Sequence, residues 1–237
     1  MSNSPLVNHT HLSPHNSGQR TQPITRITPH HVVGLMSVEA LGKEFDGTRQ
    51  ASSNYGIGPD GRVGLYVNEN CRAWTSGNAD NDNRAVTIEC SNEATYPYTL
   101  PEATYNRLID LCVDICKRNG KNKLIWIADK TKALAYKQGD NEMLLTIHKW
   151  FASTACPGKW LGDHMADLAQ KVTAQLQAET WDFTGDSTPA KWSKEAVEWA
   201  VENKLMVGDN GDLMLRSPIT REQFCVMLKR YHDMTSK

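Results

Sequence analysis

The sequence predicts an α/β protein, a central mixed β-sheet flanked by helices, followed by a small, mostly helical C-terminal module. Three observations predict it. Short runs rich in β-branched residues alternate along the chain with stretches whose apolar residues recur at helical spacing. The run Tyr55-Gly-Ile-Gly-Pro-Asp-Gly-Arg-Val63 places an Asp-Gly turn between two short apolar segments, the signature of a hairpin. Beyond Gln177 the composition changes to Thr, Asp, Gly, Ser and Pro before two further helical stretches.

Taken in order, residues 1–22 read as an irregular arm in which His9, His11 and His15 are scattered among polar residues. Ile24 to Val33 reads as a strand running into the pair His30-His31, and Ser37 caps a short helix reaching about Phe45. The hairpin at Asp60-Gly61 comes next, then a strand over Arg84 to Cys90. The clearest helix follows. Thr99 and Glu102 have capping-box spacing, Leu108, Leu111, Cys112 and Ile115 share one face, and Gly120 supplies a stop. Lys123 to Ala128 reads as a buried strand and Trp160 to Leu176 as one amphipathic helix. The expected organisation is an arm at 1–22, a catalytic domain at 23–177, a linker at 178–190 and a C-terminal module at 191–237. The module holds helical stretches near Trp192 to Asn203 and Thr220 to His232.

With 39% apolar and 22% charged residues in a chain of 237, the composition is that of an ordinary globular protein. A net charge of -1 provides no basic excess to hold a polyanion, so nucleic acid is not an expected partner. No apolar run approaches the roughly 20 residues that cross a bilayer, and Met1 to Gln22 lacks the apolar segment of a secretion signal. The expectation is a protein made in the cytoplasm without membrane insertion. Its six cysteines contain no Cys-x-x-Cys pair and are expected to be free, mostly as small buried hydrophobes.

His148 and Cys156 lie in a loop-like segment, with Cys156 held before Pro-Gly. Imidazole and thiolate are ligands that zinc prefers, and a catalytic zinc needs three such groups with one position left open. His30, at the end of a strand, is the natural third. A core histidine and a buried cysteine are the competing reading of the same residues.

Ile27-Thr-Pro-His-His-Val-Val-Gly, Ser52-Ser-Asn-Tyr-Gly-Ile-Gly-Pro-Asp-Gly, Ala85-Val-Thr-Ile-Glu and Thr154-Ala-Cys-Pro-Gly occur in the order seen in type 2 N-acetylmuramoyl-L-alanine amidases. The chain resembles that family over about Ser2 to Leu176, especially the endolysins and autolysins of clostridia. The resemblance implies the fold shared with peptidoglycan recognition proteins and hydrolysis of the amide between N-acetylmuramic acid and L-alanine. It implies one catalytic zinc on His30, His148 and Cys156, with Glu89 as the base acting on water. Thr154 stands where many relatives have Lys, and offers a hydrogen bond without a charge. Many relatives carry a catalytic Tyr where this chain has Ser53; Tyr55, two residues on, is the candidate replacement. Arg72, Trp74 and Trp150 are candidate groove residues, since aromatic rings stack on sugars and Arg pairs with carboxylates.

Trp192-Ser-Lys-Glu-Ala-Val-Glu-Trp and Pro218-Ile-Thr-Arg-Glu-Gln-Phe resemble one S-layer homology motif, which usually occurs in sets of three. That resemblance implies binding of anionic secondary cell-wall polymer through Thr220 and Arg221. A single copy is too small to bury a core alone, so pairing with a second copy of the chain is the other expectation. The implied whole is an enzyme of cell-wall lysis acting on peptidoglycan after release. Two rivals remain: a recognition protein that binds peptidoglycan without cutting it, and a scaffold with structural zinc, for which His31 is the nearby fourth ligand.

Overall fold

The structure, a computed structural model, describes residues 2–48, 50–178, 189–208 and 212–236. The chain divides into two compact units, Met1–Gln177 and Ala178–Lys237.

The first unit is built on strands β1 (Val7–Thr10), β2 (Asn16–Gln19), β3 (Arg26–His31), β4 (Tyr55–Ile57), β5 (Val63–Leu65), β6 (Cys71–Ala73), β7 (Ala85–Cys90), β8 (Lys123–Ile125) and β9 (Glu142–Leu145). Seven of them form a mixed sheet ordered β1-β5-β4-β7-β3-β9-β8; β2 and β6 make a separate antiparallel pair. Only β4 and β5, the expected hairpin, are antiparallel within the large sheet. Around it lie helices α1 (Val38–Glu44), α2 (Ala79–Arg84), α3 (Glu102–Arg118), α4 (Lys130–Ala135), α5 (Gly158–Asp163) and α6 (Met165–Ala178).

The two faces of the sheet differ in chemistry. In parallel strands, residues in register point to the same side, and successive residues alternate. Pro29 pairs with Ile88, and Ile88 with Tyr55; Ile27 and Ile88 belong to the main core with Leu108, Leu111 and Ile115 of α3 and Leu168 and Val172 of α6. The opposite face carries Thr28, His30, Thr87 and Glu89. Its floor is polar and hydrogen-bonded within itself: Thr28 Oγ1 lies 2.7 Å from Thr146 Oγ1, and both meet the Asn81 side chain at 3.1 Å. The sheet therefore sets a dry face for stability against a polar face for chemistry.

Four expectations need correction. The arm at 1–22 is not irregular: β1 pairs in parallel with β5, and β2 pairs with β6. Its polar sequence hides these strands because both lie at the margins and recruit side chains, as when Asn8 Oδ1 accepts the Val63 N–H at 2.9 Å. Thr99 and Glu102 form no capping box, since α3 begins after Pro101, with Glu102 as its first helical residue and no side-chain cap. The single helix expected over Trp160 to Leu176 is two, broken at His164, whose Nδ1 meets Trp160 O at 2.7 Å and whose ring stacks on Trp160 at 3.8 Å. Lys123 to Ala128 is a strand only as far as Ile125. Ser37, by contrast, caps α1 by accepting the Ala40 N–H at 3.3 Å.

The second unit holds α7 (Lys194–Glu202) and α8 (Arg221–Thr235). Leu205 is the one large apolar side chain buried among its described residues. An open cleft of about 590 Å³ lies against it, lined by Met206, Val207, Leu213, Ile219 and Val226. Most of the linker expected at 178–190 lies outside the described residues.

Candidate metal centre

Strand β3 pairs with β7 along its whole length, from Arg26–Ala85 to His31–Cys90, but with β9 only at Arg26–Leu144 and Ile27–Leu145. Pro29 has no N–H to extend the second ladder. After Thr146, whose N–H still reaches Ile27 O at 3.0 Å, the chain leaves the sheet. A single 3-10 turn, His148–Trp150, then brings His148 against His30, with ring centroids 4.8 Å apart. A parallel sheet opens a crevice where neighbouring strands part at their carboxyl ends, and the residues of interest gather there.

Cys156 completes the group. Its carbonyl accepts the Lys149 N–H at 3.2 Å, and its own N–H is held by Thr154 Oγ1 at 3.2 Å. Its Sγ lies 3.4 Å from His30 Nδ1. One donor atom each from His30, His148 and Cys156 falls within 4.8 Å of the others. Glu89, in register with His30 on the neighbouring strand, places Oε1 4.0 Å from His30 Nδ1.

The electrostatics suit a cation. Burial, reinforced by the nearby His148 and His31 rings, lowers the His30 pKa well below the ordinary histidine value, and burial lowers that of His148. Both imidazoles are therefore neutral near pH 7, with lone pairs free to donate. Burial, then the Glu89 charge, pushes the Cys156 thiol up, while the backbone N–H of His31 pulls the other way. A positive ion would reverse the cost of a buried thiolate. His30 Nε2 is buried without a hydrogen-bond partner. Two imidazoles and a thiol with an unsatisfied buried nitrogen fit zinc.

His31, the alternative fourth ligand, is not part of this group. Strand alternation turns it to the other side, where its ring meets Tyr98 edge-on at 5.3 Å. It packs on Gly158, where a Cβ would come 2.6 Å from His31 Nδ1. Gly158 at φ +80° is thus required both by its backbone and by this contact.

Other sequence candidates stand elsewhere. Tyr55 does not reach the metal group: it is fully buried on the opposite face, in register with Ile88 rather than Glu89. Its hydroxyl donates to Glu69 Oε2 at 2.7 Å and accepts the Ser4 N–H at 2.9 Å. Glu69 in turn takes Arg118 Nη1 at 2.8 Å and Nη2 at 2.7 Å. Trp150 is buried too, 7% exposed, and stacks on Trp126 with ring centroids 5.3 Å apart, so that face of its ring is covered. Arg72 sits on β6 and Trp74 directly follows it, and both donate to Ser17 Oγ, Trp74 at 2.7 Å. Thr154 is exposed beside Cys156. In the second unit Thr220 forms a capping box with Gln223 at the start of α8, and Arg221 is the first helical residue, exposed.

Sequence reading missed the loop between β7 and α3, where Tyr98 leans on His31 and Tyr96 on Tyr98, with centroids 6.3 Å apart. The aromatic density of Tyr96-Pro-Tyr98 was the available signal.

No curated protein matches the chain. Among solved structures, the endolysin N-acetylmuramoyl-L-alanine amidase LysCS from Clostridium intestinale is 16% identical, with 75% of this chain and 99% of that one covered and a TM-score of 0.46. PlyL is 13% identical, with coverage of 69% and 95% and a TM-score of 0.48. AmpD is 17% identical, with coverage of 71% and 93% and a TM-score of 0.48. The assignment rests on sequence: the profile of the family described as N-acetylmuramoyl-L-alanine amidase (Amidase_2) matches residues 20–159, the stretch that carries His30, Glu89, His148 and Cys156, and the chain belongs to that family.

Proposed function

We propose that the chain is a zinc-dependent peptidoglycan hydrolase. It cuts the amide between the lactyl group of N-acetylmuramic acid and the L-alanine of the stem peptide, and so lyses bacterial cell wall. The observation that carries this reading is the meeting of His30, His148 and Cys156 within 4.8 Å at the open end of the sheet, in a member of this family. Zinc on these three residues supplies a Lewis acid for the scissile carbonyl and makes water acidic enough to ionise near pH 7.

The remaining roles fall to the chain. Glu89 takes the proton of the attacking water and returns it to the leaving amine. Thr154 spends an oxygen lone pair on the Cys156 N–H, which leaves its O–H to donate to the developing oxyanion. The His31 N–H holds the Cys156 sulfur in place as an outer partner. The C-terminal unit, with its likeness to an S-layer homology motif, holds the enzyme to anionic wall polymer through Arg221, or pairs with a second copy through its apolar cleft.

The test measures zinc content together with turbidity loss of purified walls and the mass of the released ends. His30→Ala, His148→Ala and Cys156→Ala should each remove most of the zinc and the lysis. A Cys156→Ala protein that kept both would overturn the assignment, and released ends with new reducing sugars would point to a glycosidase.

A further inference from the structure

Two loops leave the carboxyl ends of β3 and β7, the strands that carry His30 and Glu89. They are stitched together: Asn92 N donates to Gly34 O at 3.1 Å, and Val33 N donates to Asn92 Oδ1 at 2.9 Å. These loops hold Val33, Leu35 and Tyr96, exposed by 49%, 53% and 69%. Among the described residues of the first unit, Tyr96 is the most exposed large apolar side chain. The same loops hold the two non-glycine residues of that unit with left-handed backbones, Val33 at φ 57° and Tyr98 at φ 68°. A β-branched or aromatic residue in that region is strained, and such strain persists where the surroundings over-determine it, often at binding sites.

The loop carrying the tyrosines is fixed, not loose. Tyr98 N reaches Thr95 O at 2.7 Å, Glu93 N reaches Thr99 O at 2.8 Å, and Trp160 N reaches Pro97 O at 3.0 Å. Its left-handed turn sets Tyr98 edge-on to His31, and Tyr96 packs edge-on to Tyr98 at an interplanar angle of 76°. A file of rings thus runs from His31, which packs on Gly158 two residues past Cys156, to the surface, and its last member keeps an open face to solvent. A preorganised, uncharged aromatic face suits the C–H faces and acetyl methyl groups of N-acetylated sugars.

We propose that Tyr96 is a subsite for the glycan strand, stacking a sugar ring next to the muramoyl residue whose amide is cut. This rests on the amidase reading above and assigns the side of the site that takes the glycan. The test uses the full zinc-loaded chain as wild type and as two variants, Tyr96→Ala and Tyr96→Trp, with two probes. One is glycan strands stripped of stem peptides and of secondary polymer, titrated by calorimetry; the other is cleavage of peptide-bearing glycan chains and of soluble muramoyl-peptide monomers. Tyr96→Ala should weaken binding of stripped glycan and raise KM for glycan chains by about fivefold each, with kcat unchanged, and leave cleavage of monomers as in wild type. Tyr96→Trp should restore both. Unchanged glycan binding in Tyr96→Ala, or a fall in kcat that Trp does not rescue, overturns the subsite. Tyr96-dependent glycan binding by a wild-type chain that cleaves nothing would keep the subsite and sink the amidase reading instead.

Discussion

Tyr55→Phe separates a structural tyrosine from a catalytic one. The change removes one oxygen from a fully buried ring and creates no cavity large enough for a side chain to fill. Two hydrogen bonds go with it, the donation to Glu69 Oε2 at 2.7 Å and the acceptance from Ser4 N at 2.9 Å. The first ends on a carboxylate and is worth about 1.5–3 kcal/mol, the second about 1 kcal/mol. Glu69 remains paired with Arg118 in a two-pronged ion pair, which keeps the loss from reaching that of an unpaired buried charge. The sum is about 2.5–4 kcal/mol, which in a unit of this size lowers Tm by roughly 5–16 °C. Thermal unfolding followed by circular dichroism reads the stability, and wall turbidity at 25 °C, well below the transition, reads the activity. The expected result is a lower Tm with zinc content and lysis near wild type. The reasoning fails if lysis drops a hundredfold while Tm holds, because Tyr55 would then act at the metal group from the face the register assigns to Ile88.

Three further outcomes follow from particular contacts. Glu89→Gln keeps size and hydrogen-bonding reach while removing the basic oxygen, so zinc content and Tm should hold while wall turbidity loss slows by on the order of a hundredfold; near-normal lysis would move the proton transfer elsewhere. Gly158→Ala forces a left-handed alanine, costing about 1–2 kcal/mol, and drives its Cβ into the His31 ring, so zinc affinity measured by chelator competition should fall about tenfold. Arg221→Ala, and a fragment ending at Gln177, should sediment less with cell walls while still cutting soluble muramoyl peptides, with the difference shrinking as salt rises; equal sedimentation and an equal oligomeric state would remove both roles of the C-terminal unit.

What could be read in the sequence depended on whether the signal was local. Arg26–His31 and Ala85–Cys90 stand out because buried parallel strands are dense in β-branched residues, and α3 because its apolar stripe is long. The hairpin was legible from Asp60-Gly61 alone. β1, β2 and β6 were not, because strands as short as Val-Asn-His-Thr, Asn-Ser-Gly-Gln and Cys-Arg-Ala carry no apolar pattern and exist through long-range partners. The cluster of two imidazoles and a thiol, a candidate metal site, was legible as chemistry, although His30 and Cys156 are 126 positions apart. Tyr55 failed for a geometric reason: spacing of two from Ser53 implies a shared face only within a strand, and Ser53 lies before β4 begins. Trp150 was ambiguous because a tryptophan at a loop can be core or surface with equal ease, and here Trp126 covers one face of its ring.

The docking of residues 2–10 has a practical consequence for anyone who trims the protein. Family similarity begins at residue 20. A fragment cut at that boundary would lose Ser2, whose carbonyl accepts Arg118 Nη1 at 2.7 Å, Ser4, which meets Tyr55, and all of β1. Val63–Leu65 would then become the outer strand of the sheet, a short apolar row of unpaired N–H and C=O groups open to any other chain in the tube. Such a fragment would keep every residue of the metal group and still be expected to precipitate, so a loss of lysis on trimming there would report insolubility rather than chemistry.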